Sequence, residues 1–179
     1  MLRYFHYIKS FFFKMVIPLE DFTKLREQKL KGKKIVATSG FFDPLHPGHA
    51  SCICESKKFG EILIVIVNGD MQCITKKGKP FMPALDRANV IKHLKGVDYV
   101  VIYDHPTRYD SCEPLEIIRP DVFTKGGDRD DAKKVPEVEV VEKYKGRVEY
   151  NVGDPKMWSS SNYLEEWYQF RKSQENEKK

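Results

Sequence analysis

The chain has 179 residues and a mass of 20.9 kDa, which suits one domain and is too short for two of ordinary size. Hydrophobic residues make up 41% and charged residues 32% of the sequence, which excludes a disordered chain, a collagen-like fibre and a small disulfide scaffold. The net charge is +5, and three of the positive charges lie in the first fourteen residues, where there is no acidic residue. The rest of the chain is too weakly basic to indicate nucleic-acid binding, so we expect no nucleic-acid partner.

The chain opens with an apolar and aromatic segment, MLRYFHYIKSFFFK. Lys9 and Lys14 keep its apolar runs far below the roughly 20 residues of a membrane span, and it has no signal-peptide cleavage site. We interpret residues 1–14 as an N-terminal appendage, either an interfacial helix or a translated upstream stretch with Met15 as the natural start. The domain is then expected over residues 15–170 and a polar, frayed tail over residues 171–179.

Four cysteines are present, and their spacing does not match a paired zinc pattern. Cys52 and Cys54 would point to different sides of a helix, and no CxxC partner follows them. We therefore expect reduced thiols that pack in the interior of a cytoplasmic protein.

Beyond Met15, apolar runs alternate with segments of helical period. The clearest strand is the continuous β-branched run ILIVIV, which is typical of a strand covered on both faces of its sheet. The predicted strands are residues 34–38, 62–67, 97–103, 121–124 and 147–152. The predicted helices are residues 49–59, 85–94, 114–118, 136–144 and 160–170, and residues 71–83 are predicted to form a lysine-bearing loop.

This alternation favours an α/β fold: a Rossmann-like, doubly wound, mostly parallel sheet of five strands with helices on both faces. In such sheets, ligands bind beyond the carboxyl ends of the strands, at the switch point of the strand order. We therefore expect the loops after Thr38, Val67 and Thr124 to carry the function.

The loop after the first predicted strand contains the motif GFFDPLHPGH, residues 40–49. His46 and His49 flank Pro-Gly at the start of a predicted helix, where free N–H groups and the helix dipole attract a phosphate. Gly48 allows a phosphate to approach the backbone closely. A zinc site is an alternative, but no third and fourth ligand are evident nearby.

The motif resembles the signature of the cytidylyltransferase-like nucleotidyltransferases. Further segments, VNGD (67–70), PALDR (83–87) and RPDVFTKGGD (119–128), resemble the adenylyltransferase domain of ADP-heptose synthase. The resemblance runs from Val16 to Glu166, nearly the whole chain. It departs from the family pattern at DPKMW (154–158), which leaves the acceptor open.

The resemblance implies transfer of AMP from ATP to a sugar phosphate such as heptose 1-phosphate, with release of pyrophosphate. Mg²⁺ is implied as the partner of the triphosphate. One alternative is a CTP-dependent cytidylyltransferase acting on glycerol 3-phosphate or another polyol or amino-alcohol phosphate. Another is a non-catalytic nucleotide-binding protein. A homodimer is possible through Trp167, Tyr168 and Phe170, although we expect these side chains to pack the last helix onto the sheet.

The resemblance also implies roles for individual residues, which we take as predictions. His46, His49 and Lys79 are predicted to be catalytic, and Asp43 to fix its loop. Taken without the family, the lysines after residue 75 could form a solvated loop and Arg87 a buried ion pair. Likewise, the glycines before Asp128 could form an ordinary turn. Ser159, Ser160 and Ser161 could form a helix cap. The predicted nucleotide-binding residues are Gly40, Phe41, Phe42, Gly48, Lys77, Arg87, Lys125, Gly126, Gly127, Asp128, Ser159, Ser160 and Ser161.

Overall fold

The computed structural model describes residues 16–127, 136–155, 157 and 159–177. The predictions for the first fourteen residues and for Asp128 fall outside the described residues, as do Lys156 and Trp158 of the DPKMW segment.

The described residues form one six-stranded sheet in which every neighbouring pair of strands is parallel. The strand order is β1-β4-β3-β2-β5-β6. The strands are β1 (Val16–Ile17), β2 (Ile35–Gly40), β3 (Ile62–Asn68), β4 (Tyr99–Tyr103), β5 (Val122–Gly127) and β6 (Arg147–Pro155). The predicted parallel α/β sheet is confirmed, with six strands instead of five. The strand missed by the prediction is β1, since two residues at the sheet edge are too few to produce a periodic pattern.

The described residues form seven α-helices, six between strands and one after the last strand, together with two short 3₁₀ turns at Leu19–Asp21 and Lys57–Phe59. The helices are α1 (Phe22–Lys29), α2 (Pro47–Ser56), α3 (Asp70–Lys77), α4 (Ala84–Ile91), α5 (Cys112–Ile118), α6 (Glu137–Lys143) and α7 (Ser160–Glu177).

Helices cover both faces of the sheet, as the sequence predicts. Along β3, Leu63, Val65 and Val67 pack with residues of α2 and α4 in one apolar cluster. The alternate residues Ile64 and Ile66 pack with α1, α5 and α6 in the other. Successive side chains of a strand point to opposite faces, so a continuous apolar run supplies both cores at once.

Three helices differ from the sequence prediction, of which the first, α1, was not predicted at all. Residues 71–83 were expected as a loop, but their first part belongs to α3, which ends at Gly78 in the left-handed conformation with φ 85°. The last helix continues to Glu177, seven residues beyond the predicted end, so the described part of the tail is helical. Arg, Lys, Gln and Glu are good helix formers, and a polar composition alone therefore does not predict fraying.

The aromatic residues of α7 do not pack onto the sheet, contrary to our expectation. Trp167, Tyr168 and Phe170 are 59%, 56% and 51% exposed, and none of the side chains of α7 is buried. Within the part of the chain that the structure describes, no helix is both long enough and apolar enough to cross a membrane.

The strand order reverses between β2 and β5. From β2 the chain moves outward through β3 to β4, and it then crosses to the other side of β2 to form β5 and β6. The loops that follow β2 and β5 therefore separate at their common edge, which is where a doubly wound sheet binds its ligands.

Candidate functional site

A cavity of about 370 Å³ opens at the carboxyl ends of β2 and β5. It collects most of the site residues that the sequence predicts from four separate segments of the chain. Its lining comprises Thr38, Ser39, Gly40, Phe41, Phe42, His46, Gly48, His49, Cys52, Lys76, Lys77, Lys125, Gly126, Asp154, Ser159, Ser160 and Ser161.

A larger cavity of about 870 Å³ lies at the opposite end of the sheet, between α1 and the end of α5. It is lined mainly by charged surface residues such as Arg26, Lys31 and Glu116. None of the predicted site residues reaches it, so the smaller cavity is the candidate site.

His46 and His49 form the base of the site. His46 is the N-cap of α2, with an extended backbone, and Pro47 occupies the first turn. The two imidazole rings stack with centroids 3.5 Å apart and planes 15° apart, and Phe42 meets the His49 ring edge-on at 5.2 Å. The backbone N–H of His49 donates to His46 Nδ1 at 3.3 Å.

This capping bond determines how His46 can act. Burial lowers the pKa of His46, which favours the neutral imidazole. With Nδ1 accepting a hydrogen bond, we assign the proton of the neutral ring to Nε2. His46 is therefore a directed N–H donor, suited to a phosphate oxygen.

Asp43 holds the loop that carries the histidines, as predicted. Its carboxylate is 1% exposed and accepts hydrogen bonds from the backbone N–H groups of Phe81 and Met82, each at 2.9 Å. Its carbonyl accepts from Lys77 Nζ at 2.9 Å. Asp43 thus ties the loop after β2 to the segment between α3 and α4.

Arg87 lies beneath the site rather than in its lining, and it is 1% exposed. Its guanidinium donates to the carbonyls of Phe41 and Asn68, each at 2.7 Å, and to the carbonyl of Met82 and the carboxylate of Asp70, each at 2.8 Å. The structure therefore places Arg87 as a clamp between the loops that follow β2 and β3. The contact with nucleotide stays a prediction.

The three lysines of the predicted loop separate in the structure. Lys76 and Lys77, in the last turn of α3, line the cavity, and their ammonium groups lie 4.6 and 5.5 Å from the centre of the Phe41 ring. Lys79 lies beyond the end of the helix, is exposed, and is not part of the lining. Its predicted catalytic role remains untested.

The β5 side of the cavity is lined by Lys125 and Gly126. The pairing of β5 with β6 is irregular between Thr124 and Gly127, as at a β-bulge, which releases backbone groups from the regular ladder. A Cβ on Gly126 would meet Cys52 at an ordinary contact distance of 3.5 Å, so packing does not require glycine there. The missing side chain instead widens the cavity toward this backbone. Gly127 follows as the last residue of β5.

Lys125 forms a largely buried ion pair with Glu137 of α6, with Nζ 3.1 Å from Oε1. Glu137 also accepts the backbone N–H of Ser111 at 3.2 Å. This pair ties β5 to the two helices behind it at the level of the site.

The three serines close the remaining side of the cavity at the start of α7. The Ser160 hydroxyl donates to the carbonyl of Pro44 at 2.8 Å, and the Ser159 hydroxyl accepts the backbone N–H of Asn162 at 3.4 Å, as in a helix cap. Tyr163 contacts the His46 ring, with centroids 6.5 Å apart. The start of α7 is thereby anchored to the histidine loop.

A line of buried hydroxyls supports the site from below and was not predicted. Thr38 Oγ1 donates to the Thr124 carbonyl at 3.1 Å, and Thr124 Oγ1 and Ser56 Oγ share a hydrogen bond of 2.7 Å. Their sequence signal is weak, because a polar residue at the end of an apolar run equally indicates the end of a strand.

The residues described offer no group of three or more His, Cys, Asp or Glu suited to a metal ion. Among the described lining residues, Asp154 is the one carboxylate. A divalent cation bound with a triphosphate here could take an oxygen ligand from Asp154, together with phosphate oxygens and water.

Comparison with known proteins identifies the class. The family model described as "Cytidylyltransferase-like" matches residues 37–174, more than three quarters of the chain. The chain belongs to the cytidylyltransferase-like family, and this confirms the nucleotidyltransferase class that the sequence indicates.

Particular relatives narrow the comparison. The chain is similar to the "Bifunctional protein HldE" of Nitratiruptor sp., with 40% identity over 62% of this chain and 26% of the relative. It is similar to the protein of the same name from Campylobacter curvus, with 46% identity over 54% of this chain and 20% of the relative. The chain thus spans about a quarter of the length of these curated relatives.

Solved structures support the same fold. A lipopolysaccharide core biosynthesis protein from Thermoplasma volcanium superimposes with a TM-score of 0.55 at 28% identity, covering 66% of this chain and 94% of that one. A pantoate-beta-alanine ligase from Francisella tularensis, complexed with beta-gamma ATP and beta-alanine, gives a TM-score of 0.57. The ligase match covers 84% of this chain and 72% of that one at 15% identity, and it bears on the fold alone.

Proposed function

We propose that this protein transfers AMP from ATP to a sugar phosphate of the heptose 1-phosphate type and releases pyrophosphate. The observation that carries the proposal is the stacked His46–His49 pair at the base of the cavity, at the start of α2. The similarity to HldE proteins and the KGGD segment support the choice of an adenylyl group and a sugar phosphate.

In the proposed reaction, an oxygen of the acceptor phosphate attacks the α-phosphorus of the triphosphate. A bond forms between this oxygen and the α-phosphorus, and the bond from the α-phosphorus to the bridging oxygen breaks. Pyrophosphate leaves with the electron pair. Because little covalent chemistry is required of the protein, its residues act by positioning and by stabilising charge.

The lining residues divide this work by their chemistry. His46 Nε2–H donates to the phosphate being transferred, and His49, stacked against it, lies beside the same group. Lys76 and Lys77 offer positive charge at the rim, Lys77 for the other phosphates of the triphosphate and Lys76 for the phosphate of the acceptor. The hydroxyls at the start of α7 and the backbone of β5 contact the nucleotide. Mg²⁺, when bound with the triphosphate, reduces the negative charge on its oxygens.

The alternative is the same chemistry with CTP and a polyol or amino-alcohol phosphate, as expected for other members of the cytidylyltransferase-like family. A nucleotide-binding protein without catalysis is the third candidate. The three differ in which nucleotide and acceptor give pyrophosphate.

Pyrophosphate release with Mg²⁺ tests the proposal. ATP and CTP are each incubated with heptose 1-phosphate, glycerol 3-phosphate and phosphoethanolamine, and reactions without acceptor serve as controls. We expect acceptor-dependent release with ATP and heptose 1-phosphate. Release with CTP alone would transfer the protein to the cytidylyltransferase alternative. If none of the mixtures releases pyrophosphate but calorimetry detects nucleotide binding, the non-catalytic candidate is favoured.

A homodimer is also part of our proposal, with α7 as its interface. A helix without buried side chains lacks the tertiary packing that supplies most helix stability in proteins. Its charges suit a second copy: Glu165 and Glu166 precede the aromatic residues, and Arg171 and Lys172 follow them. Two antiparallel copies related by a twofold axis near Tyr168 would bring opposite charges together on both sides of the aromatic contact.

The association state of the full chain tests this interface. We expect sedimentation equilibrium to give twice the chain mass for the wild type and the mass of one chain for a W167A/Y168A variant. Replacing Phe81, a similarly exposed aromatic residue outside α7, by alanine should leave the dimer intact. A monomeric wild type, or a dimeric double variant, would contradict the proposal.

We propose a cytoplasmic location, since all four cysteines are free in the structure and cytoplasmic proteins usually keep their thiols reduced.

A further inference from the structure

A loop after β4, residues 104–111, borders the site and is held in place by two buried amide side chains. Asn68 Nδ2 donates to the carbonyl of Tyr109 at 3.3 Å, and Gln72 Nε2 donates to the carbonyl of Arg108 at 2.7 Å. The two amides are also joined to each other at 3.0 Å. The backbone of Tyr109 is therefore fixed from inside the protein.

The ring of Tyr109, in contrast, is exposed, with 56% of the residue accessible to solvent. It lies beside the cavity, since its centre is 5.7 Å from Lys76 Nζ, which in turn is 4.6 Å from the centre of the Phe41 ring. Phe41 and Lys76 both line the cavity, and Tyr109 lies just outside its lining, next to Lys76. The three side chains form a wall of two aromatic faces around one ammonium group at the rim, on the side of β3 and β4.

The opposite side of the cavity is of a different kind. It is formed by Lys125 and Gly126 of β5, Asp154 of β6 and the three serines, with the histidine pair between the two sides, and the Lys125 ammonium on this side is paired with Glu137. Attack on the α-phosphorus requires the acceptor phosphate and the leaving pyrophosphate to lie roughly in line on opposite sides of it. The site must therefore hold two different molecules on two sides of the histidines.

We propose that Phe41, Lys76 and Tyr109 form the acceptor half of the site and select a phosphorylated acceptor with a neutral, hydroxylated body. This inference rests on the proposed function, and it identifies Tyr109 as a specificity-determining residue. The Lys76 ammonium attracts the acceptor phosphate, while the aromatic faces pack against its carbon skeleton and the tyrosine hydroxyl bonds its hydroxyl groups.

The same cluster disfavours an acceptor that carries an ammonium group. Aromatic faces usually attract cations, but Lys76 already occupies the space near both rings. A second positive charge brought to this wall would be repelled. The cluster thus favours sugar and polyol phosphates over amino-alcohol phosphates.

Binding measurements test this assignment without requiring turnover. The protein is first saturated with a non-hydrolysable analogue of ATP or CTP, whichever binds more tightly. Heptose 1-phosphate, glycerol 3-phosphate and phosphoethanolamine are then titrated by calorimetry. For the wild type we expect the better of the first two to bind at least about tenfold more tightly than phosphoethanolamine, a difference of about 1.4 kcal/mol.

Variants identify the residues responsible. Y109A should reduce the affinity for the preferred acceptor on the order of tenfold and change the affinity for the nucleotide analogue less than about twofold. Y109F retains the ring contact and should therefore keep most of the acceptor affinity. In K76Q, the affinity for the preferred acceptor should exceed the affinity for phosphoethanolamine by less than about threefold. Replacing Tyr144, at the opposite end of the sheet, by alanine is the matched control and should change neither affinity.

Three results would overturn the assignment: no binding of any acceptor phosphate to the wild type, equal binding of phosphoethanolamine, or an equal loss of nucleotide and acceptor affinity in Y109A. If instead the binding pattern is as expected but the wild type releases no pyrophosphate, the proposed function fails and the assignment of this binding surface stands.

Discussion

Replacing the two histidines of the stacked pair is expected to reduce kcat by at least about a thousandfold while the protein stays folded. His46, whose ring proton we assign to Nε2, lines the cavity, and the His49 ring stacks on it with centroids 3.5 Å apart, so under the proposed function both imidazoles are expected beside the transferred phosphate. The measurement is pyrophosphate release by H46N/H49A under saturating nucleotide and acceptor. Asparagine at position 46 retains a side chain that can cap α2, which separates loss of chemistry from loss of the cap.

The control for this variant is H93A, which removes an exposed histidine from the end of α4, outside the cavity lining. Its rate should equal that of the wild type. Turnover by H46N/H49A within tenfold of the wild type would refute the assigned role of the pair, provided that its circular dichroism and its unfolding midpoint match those of the wild type.

Replacing Arg87 by methionine is expected to lower the free energy of unfolding by about 3–5 kcal/mol. Methionine fills a similar space without any donor, so the carbonyls of Phe41, Asn68 and Met82 would lose their guanidinium hydrogen bonds. Urea unfolding followed by circular dichroism measures the change. Because Arg87 joins the loops after β2 and β3, nucleotide affinity should fall together with stability.

The matched control is R147M on β6, where the arginine is exposed and pairs with Glu149. An exposed ion pair contributes little, so R147M should change stability by less than about 1 kcal/mol. A destabilisation of R87M no larger than that of R147M would mean that the buried guanidinium does not hold the two loops.

The sheet was predictable because its central strands β2, β3 and β4 carry continuous apolar runs. ILIVIV supplies side chains to both apolar cores from a single strand. A strand covered on both faces needs an apolar residue at every position, and such a run is easily recognised in the sequence. The two-residue strand β1 has no comparable signal, since its assignment depends on pairing with β4, more than 80 residues away in the sequence. Helix α3 was missed because its last lysines run directly into Gly78 and Pro80, and this combination is typical of a loop.

The site was partly predictable for the same kind of reason. GFFDPLHPGH combines a helix start, a glycine and two histidines within ten residues, so its chemistry can be inferred locally. The hydrogen-bond partners of Arg87 cannot be inferred from the local sequence, because they lie in three different segments, up to 46 residues away. The cluster of Phe41, Lys76 and Tyr109 likewise exists only after three loops have been brought to one edge of the sheet.

The N-cap position of His46 has a consequence for ligand binding. The hydrogen bond that starts α2 also fixes the direction of the imidazole, so the ring is oriented before any nucleotide arrives. The rotational entropy of this side chain is lost during folding and not during association. The site is preorganised at its centre, and we expect the ordering that accompanies binding to come from other parts of the cavity wall.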